Sequence, residues 1–368
     1  MNTSKEQLEN HTRTRTATDV DANILKLVES EVGPRGIEFI TKYVPNLASK
    51  YVVLLDSSSR FNILKQRKSH YEAIVNVGMA NEINRLNKYF SAANFKLHDG
   101  GYFVGRAETI GERKRRVYGK YMRPFADVYY FSDFVFHRVM PKLRAFQFVY
   151  FFVTRGRRRV FSRAELLGRL CSCGFEIVEE VEIENLLYFC VKKVKEAEKV
   201  VNPSYGPLFG MRRIGKHGKE IIVYKLRTMH PYSEYLQEYI YKRNDLQEGG
   251  KFADDFRIST LGRIFRKFWI DELPMIYNLL NGDLKLVGVR PLSKHYLSLY
   301  ADDLKEMRKQ VKPGLLPPFY ADMPKTLDEI QDSERKYLMA YHEAPFRTDV
   351  RYFVKAMVNI LVKKARSK

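Results

Sequence analysis

The chain has 368 residues, enough for two domains of ordinary size, and its 45% hydrophobic and 29% charged residues describe a folded globular protein, not a fibrous or disordered one. A formal charge of +21 attracts polyanions and leaves three partner classes: nucleic acid, nucleotide-linked substrates or an acidic membrane surface. Three cysteines (Cys171, Cys173, Cys190) make no ligand-spaced set and read as reduced structural thiols.

Residues 1–22 are polar and unpatterned, which predicts a loose tail. They lack the apolar core of a signal peptide, and no stretch reaches the roughly 18 to 20 apolar residues that span a bilayer. The expectation is a protein that stays inside the cell and does not cross the membrane.

From 23 to 198 strand-like and helix-like runs alternate, predicting an α/β domain. Tyr51 to Leu55 and Tyr71 to Val75 read as buried strands, Asn81 to Leu97 has helical spacing, and Asp99-Gly100-Gly101 turns into a strand from Tyr102 to Gly105. Ser162 suits the N-cap of a helix from Arg163 to Cys171, with Gly174 as its stop before a strand from Phe175. This order resembles the second half of a Rossmann-like methyltransferase fold. After Leu55, however, the chain reads DSSSRFN, without the glycine-rich turn that lets a cofactor approach the backbone. A scaffold that has lost cofactor binding therefore fits better than an S-adenosylmethionine enzyme.

Residues 127–159 form an insert of aromatic and basic residues, with Pro141 expected to break any helix in its middle. Aromatic faces edged by Arg and Lys suit an interfacial, non-spanning membrane element, with Phe146, Phe148, Tyr150, Arg157 and Arg158 as candidate membrane contacts. A packed helical pair with a solvated basic rim is the competing reading.

A second domain is expected over 199–368, entered near Glu196 to Pro203. Its first feature is a hairpin, basic strand then apolar strand, around Gly215-Lys216-His217-Gly218, with Lys225 and Arg227 placed on one face by strand spacing. Asp271 and Glu272 follow. Leu273, Ile276, Tyr277 and Leu280 make a helical stripe, and Pro274 is tolerable only in a first turn, so the acid pair is expected at a helix N-terminus. There the helix dipole favours anions, which would keep both carboxylates ionised and welcome phosphate. An ionised Asp can attack phosphorus while a neighbouring Glu holds Mg²⁺. Acids in a first turn are ordinarily caps. Here Arg257, Arg263, Arg266 and Arg290 surround the pair, and guanidinium forks match phosphate oxygens.

YKLRTM from Tyr224, DDFRISTLGRIFRKFWIDELP from Asp254, NLLNGDLKLVGVRP from Asn278 and KPG from Lys312 closely resemble the α+β catalytic domain of the monotopic phosphoglycosyl transferases, which are bacterial sugar transferases. The resemblance implies transfer of a sugar 1-phosphate from a UDP-sugar to undecaprenyl (polyprenyl) phosphate, releasing UMP and starting a surface glycan. It implies that Asp271 is the nucleophile, that Glu272 binds Mg²⁺, and that Arg266 and Arg290 hold phosphate, with Lys225 and Arg227 in the family's strand motif. It also implies work at the cytoplasmic face of the inner membrane.

Members usually enter this domain through a hydrophobic helix broken at a proline, whereas VKKVKEAEKVV precedes Asn202 here. The family's GPRP turn is GVRP, and LLPPFYADMPKTLDEI follows KPG in place of a GWAQ-type segment. Membrane contact is then expected from the aromatic insert and from a stripe of Tyr352, Phe353, Ala356, Met357, Ile360 and Leu361 beside Lys355, Lys363, Lys364 and Arg366. No nucleic-acid partner is expected, since the basic residues form no single stripe and no recognition motif occurs. A non-catalytic scaffold in glycan assembly and a homo-oligomer stay open.

Overall fold

Alternating apolar runs of the first half pair into one mixed sheet in the computed structural model, which describes residues 3–197, 205–243, 246–247, 251–252 and 255–362. The chain divides into two units: Met1–Pro203 with Pro231–Tyr239, and Ser204–His230 with Ile240–Lys368.

In the first unit α1 (Thr3–Tyr43) leads to β1 (Val52–Leu55), α2 (Arg60–Leu64), β2 (Tyr71–Met79), α3 (Leu86–Lys96) and β3 (Leu97–Ala107). After α4 (Ile110–Lys120), α5 (Arg123–Phe134), α6 (Arg144–Thr154) and α7 (Arg163–Ser172), β4 (Phe175–Ile183) and β5 (Leu186–Lys193) complete the sheet. The strand order is β1-β2-β3-β5-β4, with β1 to β3 parallel and β5 antiparallel to both neighbours. One face packs Val75, Val104 and Cys190 against Val28, Val32 and Ile40 of α1. The other stacks Phe90, Phe103 and Phe189 at ring separations of 5.8 to 6.4 Å.

Residues 3–22 are not a tail: they are the first turns of α1, which meets no glycine or proline before Gly33. At Gly33 (φ 74°) and Pro34 the helix kinks, and Tyr188 donates to the freed Val32 carbonyl at 3.1 Å. Asp99-Gly100-Gly101 is not a turn either. Gly100, at φ 82°, lets β3 run through it as an irregularity in the pairing with β2.

Pro141 breaks the insert as expected, through a π turn (Val135–Val139) and a 3₁₀ turn (Met140–Lys142) between α5 and α6. The buried carboxylate of Glu165, on α7, gathers Arg138, Lys142 and Arg169 and so ties the insert to the unit. Phe125, Val128 and Phe131 of α5 and Phe146, Phe148, Phe152 and Val153 of α6 face solvent. Tyr150 does not: it lies on the opposite face of α6, fully buried, with its hydroxyl donating to the Arg157 carbonyl at 3.0 Å, so it is a core residue and no membrane contact.

Segment 231–239, placed by sequence in the second domain, packs on the first. The Tyr232 hydroxyl accepts from Asn87 at 2.6 Å, its ring lies under the Arg169 guanidinium, and Gly168 leaves room for its backbone, since a Cβ there would sit 2.2 Å from the Tyr232 carbonyl oxygen. The boundary expected at 199 lies outside the described residues.

The second unit opens with the predicted hairpin, β6 (Leu208–Ile214) and β7 (Glu220–Leu226). Then come α8 (Gln237–Arg243), the short pair β8 (Leu246–Gln247) and β9 (Lys251–Phe252), α9 (Thr260–Lys267), α10 (Met275–Leu280) and β10 (Lys285–Val287). α11 (Lys294–Ser298), α12 (Asp302–Lys309), β11 (Gly314–Leu316), α13 (Phe319–Asp322), α14 (Leu327–Glu343) and α15 (Pro345–Leu361) complete it. β10 and β11 pair in parallel, and their Val287 and Leu316 pack with Leu304, Tyr337 and Leu338.

The expected membrane stripe on α15 is largely the wrong face. Tyr352, Phe353, Ala356 and Ile360 pack inward, whereas Phe346, Val350, Val354, Val358 and Leu361 are exposed. Lys363, Lys364 and Arg366 lie outside the described residues. Among the described residues no helix is long and apolar enough to cross a membrane.

Candidate active site

The hairpin supplies one wall of a cavity of about 490 Å³ in the second unit. Phe209 lies opposite Lys225, Met211 opposite Val223 and Arg213 opposite Ile221, so period-2 alternation turns Phe209, Met211, Arg213, Val223 and Lys225 to the same lumen.

Asn278 fixes the acid pair against this wall. It is fully buried on α10, accepts from the Tyr224 amide at 3.1 Å, and donates to the Ile222 carbonyl at 2.6 Å and to Asp283 at 3.1 Å. These bonds fill the edge of β7 that β6 leaves open. α9 is seated by Ser259, its N-cap, whose amide donates to the Thr228 carbonyl at 3.0 Å. Gly262 permits that seating, because a Cβ there would lie 2.0 Å from the same oxygen. After α9, Trp269 in the left-handed region (φ 54°) reverses the chain into the 3₁₀ turn Ile270–Glu272.

Asp271 and Glu272 thus sit in a tight turn ahead of α10 and not in its first turn. The stripe used to place them, Leu273, Ile276, Tyr277 and Leu280, is exposed, and α10 buries Met275 and Asn278 instead. Nor is the electrostatic setting the expected one: burial, and then the neighbouring Glu272, push the Asp271 carboxyl above its usual range, while Lys225 and Arg266 oppose them. Asp271 Oδ1 is buried without a hydrogen-bond partner. Glu272 accepts from Lys225 Nζ at 2.6 Å.

Of the predicted phosphate ligands, Lys225, Arg266 and Arg290 line the cavity with the acids. Arg266 donates to Thr228 Oγ1 at 2.9 Å, and Arg290 is held by its own carbonyl, which accepts from Arg308 at 2.5 Å. The others are placed elsewhere. Arg257 forks onto Asp255 at 2.7 to 3.1 Å, a two-residue loop pair that local spacing alone hides. Arg227 lies past the end of β7, donating to the Gly206 carbonyl at 3.0 Å between Tyr205 and Phe209, and Arg263 is exposed on α9 outside the cavity. Sequence reasoning missed Arg213, Thr228 and Asn278, of which Thr228 and Asn278 stand inside the quoted motifs. Burial pulls the Arg213 guanidinium below the usual range and the charge of Arg290 adds to this, a poised cationic pair suited to a polyanion.

The closing wall depends on KPG. β11 approaches β10 so closely that a Cβ on Gly314 would lie 2.1 Å from the Gly288 amide nitrogen. Tyr296, Tyr300, Phe319 and Tyr320 complete an aromatic side of the lumen.

A buried carboxylate oxygen, guanidinium groups and an aromatic wall thus share one lumen. The profile of the family described as bacterial sugar transferase matches residues 191–363, just under half of the chain. The chain is 40% identical over 158 residues to an uncharacterized sugar transferase, EpsL, of Bacillus subtilis, covering 43% of this chain and 64% of that protein. It is 37% identical over 122 residues to the undecaprenyl-phosphate galactose phosphotransferase of Salmonella typhimurium, covering 32% of this chain and 25% of that protein. An N-acetylgalactosaminephosphotransferase of Aeromonas hydrophila, named for UDP-N-acetylgalactosamine and undecaprenyl phosphate, is 33% identical over 30% of this chain and 25% of that one. The matches thus span between a quarter and two thirds of these relatives.

Proposed function

We propose that the protein transfers a sugar 1-phosphate from a UDP-sugar to polyprenyl phosphate, through a phosphoryl-Asp271 intermediate, at the cytoplasmic face of the inner membrane. The observation that carries this reading is that Asp271, whose Oδ1 has no hydrogen-bond partner, lines one lumen with Arg266, Arg290 and Lys225. An oxygen with no hydrogen bond keeps its lone pairs for phosphorus.

In the first half-reaction that oxygen attacks the sugar-bearing phosphorus, and the bond to the UMP oxygen breaks, with UMP keeping the electron pair. In the second, an oxygen of polyprenyl phosphate attacks the same phosphorus and the Asp271 carboxylate is regenerated. Arg266, Arg290 and Arg213 are suited to hold the non-bridging phosphate oxygens. Lys225 keeps Glu272 oriented and offsets the negative charge beside the nucleophile.

Among the described residues no cluster of three His, Cys, Asp or Glu side chains could hold a metal alone. Mg²⁺ is often bound by one or two carboxylates plus substrate phosphates, and Glu272, lining the lumen beside Asp271, is the carboxylate that would hold it. When bound it would neutralise charge on the leaving diphosphate.

The aromatic faces of α5 and α6 support attachment to the membrane surface by the first unit, since large exposed aromatics edged by Arg155, Arg157 and Arg158 have no role in the core. The first unit is otherwise a methyltransferase-like scaffold in this reading. UMP release from a panel of UDP-sugars with Mg²⁺ and undecaprenyl phosphate tests the proposal; an inactive chain under all of these would instead support the scaffold reading.

A further inference from the structure

A second cavity, of about 320 Å³, lies in the first unit at the carboxyl ends of β1 and β2, and its lining includes Arg60, Glu82, Ile83, Arg85, Arg155 and Arg157. The carboxyl ends of parallel strands are where α/β sheets receive ligands. Four arginines face one carboxylate there. None of the four guanidinium groups makes a hydrogen bond or ion pair among the described residues, and all four residues are exposed.

The walls are held by other groups. Arg159 donates to the Ile83 carbonyl at 3.1 Å and also to that of Asn84. Asn81 bridges the Glu108 and Arg159 carbonyls at 2.8 Å each. Gly156, at φ 77°, rests so near Asn84 that a Cβ would lie 2.4 Å from its side-chain oxygen. The loop carrying Arg155 and Arg157 is therefore fixed against the loop carrying Arg85 without using any of their charges. Gathering four like charges costs repulsion and returns nothing to the fold, so an anionic ligand is what the arrangement suits.

We propose that this cavity binds a phosphate ester or diphosphate. With one apolar and no aromatic residue in its lining, it offers no surface on which a nucleobase could stack, and guanidinium forks match phosphate oxygens in pairs. The cationic sulfonium of S-adenosylmethionine is repelled by the same charge. Because Arg155 and Arg157 directly follow α6, whose aromatic face is exposed, the phosphate could be a soluble one or the headgroup of a membrane lipid. This inference stands whether or not the second unit is a transferase.

Calorimetry on the full chain with inorganic pyrophosphate and with glycerol 1-phosphate, and sedimentation with phosphatidylglycerol or phosphatidylcholine vesicles, tests it. Arg85→Ala/Arg157→Ala should weaken pyrophosphate binding at least about tenfold if the source is soluble, or selectively reduce retention on phosphatidylglycerol vesicles by a similar factor if it is lipid. The melting temperature should not fall, as these side chains hold nothing in place and their removal relieves repulsion. Lys50→Ala/Lys192→Ala, which removes equal charge outside the cavity, should retain binding. Binding abolished by Arg266→Ala/Arg290→Ala and untouched by Arg85→Ala/Arg157→Ala would overturn the proposal, as would equal losses in the Lys50/Lys192 control.

Discussion

Replacing Asp271 by Asn should destroy turnover and, at neutral pH, stabilise the fold. Burial and Glu272 raise the folded-state pKa of Asp271, so its favourable contribution exists below the ordinary aspartate pKa of about 3.9 and is lost as pH rises through the raised value. Ionising this partly desolvated carboxyl, whose Oδ1 lacks a hydrogen bond, therefore costs the folded chain more than the unfolded one as pH rises. Asn carries no charge at any pH. Removing a charge from an unsatisfied buried group recovers about 1 kcal/mol, which for a unit of this size raises Tm by about 2 to 4 °C. Loss of a covalent nucleophile costs at least about 10⁴-fold in rate. Thermal unfolding at pH 7 and pH 5, alongside UMP release, gives both readouts, and the stability difference should shrink at the lower pH. Retained UMP release would refute the covalent route, and a Tm several degrees lower at pH 7 would show that Asp271 is a structural carboxylate.

Lys225→Met removes the cation that most opposes the raised Asp271 pKa, so the acidic limb of UMP release against pH should move to higher pH; an unmoved limb contradicts the role given to Lys225. Asn278→Ala leaves the Tyr224 amide and Ile222 carbonyl unpaired and should cost about 2 to 4 kcal/mol in urea unfolding of the second unit. Gly314→Ala drives a Cβ into the Gly288 backbone and should cost more than about 3 kcal/mol by the same measurement. Phe148→Ser/Phe152→Ser should leave stability within about 0.5 kcal/mol yet weaken binding to phosphatidylglycerol vesicles at least about tenfold; unchanged binding removes α6 from the membrane surface.

The helices, strands and motifs were largely legible because their signals are local. Ser162 capping α7, the turn at Gly218 and the break at Pro141 follow from backbone sterics within a few residues. That Asp271 and Glu272 are neighbours could be read from the chain. Which arginines share their cavity could not, because that depends on partners distant in sequence: Arg266 reaches Thr228 and Arg213 reaches the lumen only once β6, β7 and α9 are assembled, while Arg257 is consumed by Asp255.

Faces were the other blind spot. Periodicity marks two apolar stripes on α15 and one on α10 without saying which meets the core, and the structure buried Tyr352, Phe353 and Ala356 while exposing Leu273, Ile276 and Leu280. The ionisation of Asp271 followed the same rule. Local reasoning from a helix N-terminus predicts a comfortable anion, but burial and an adjacent carboxylate oppose it, and both are properties of the assembled site. Sequence alone determined which chemical groups this protein possesses; only three-dimensional packing decided which of them share a cavity and what charge each one prefers there, since dielectric and proximity are defined between elements and not along a chain.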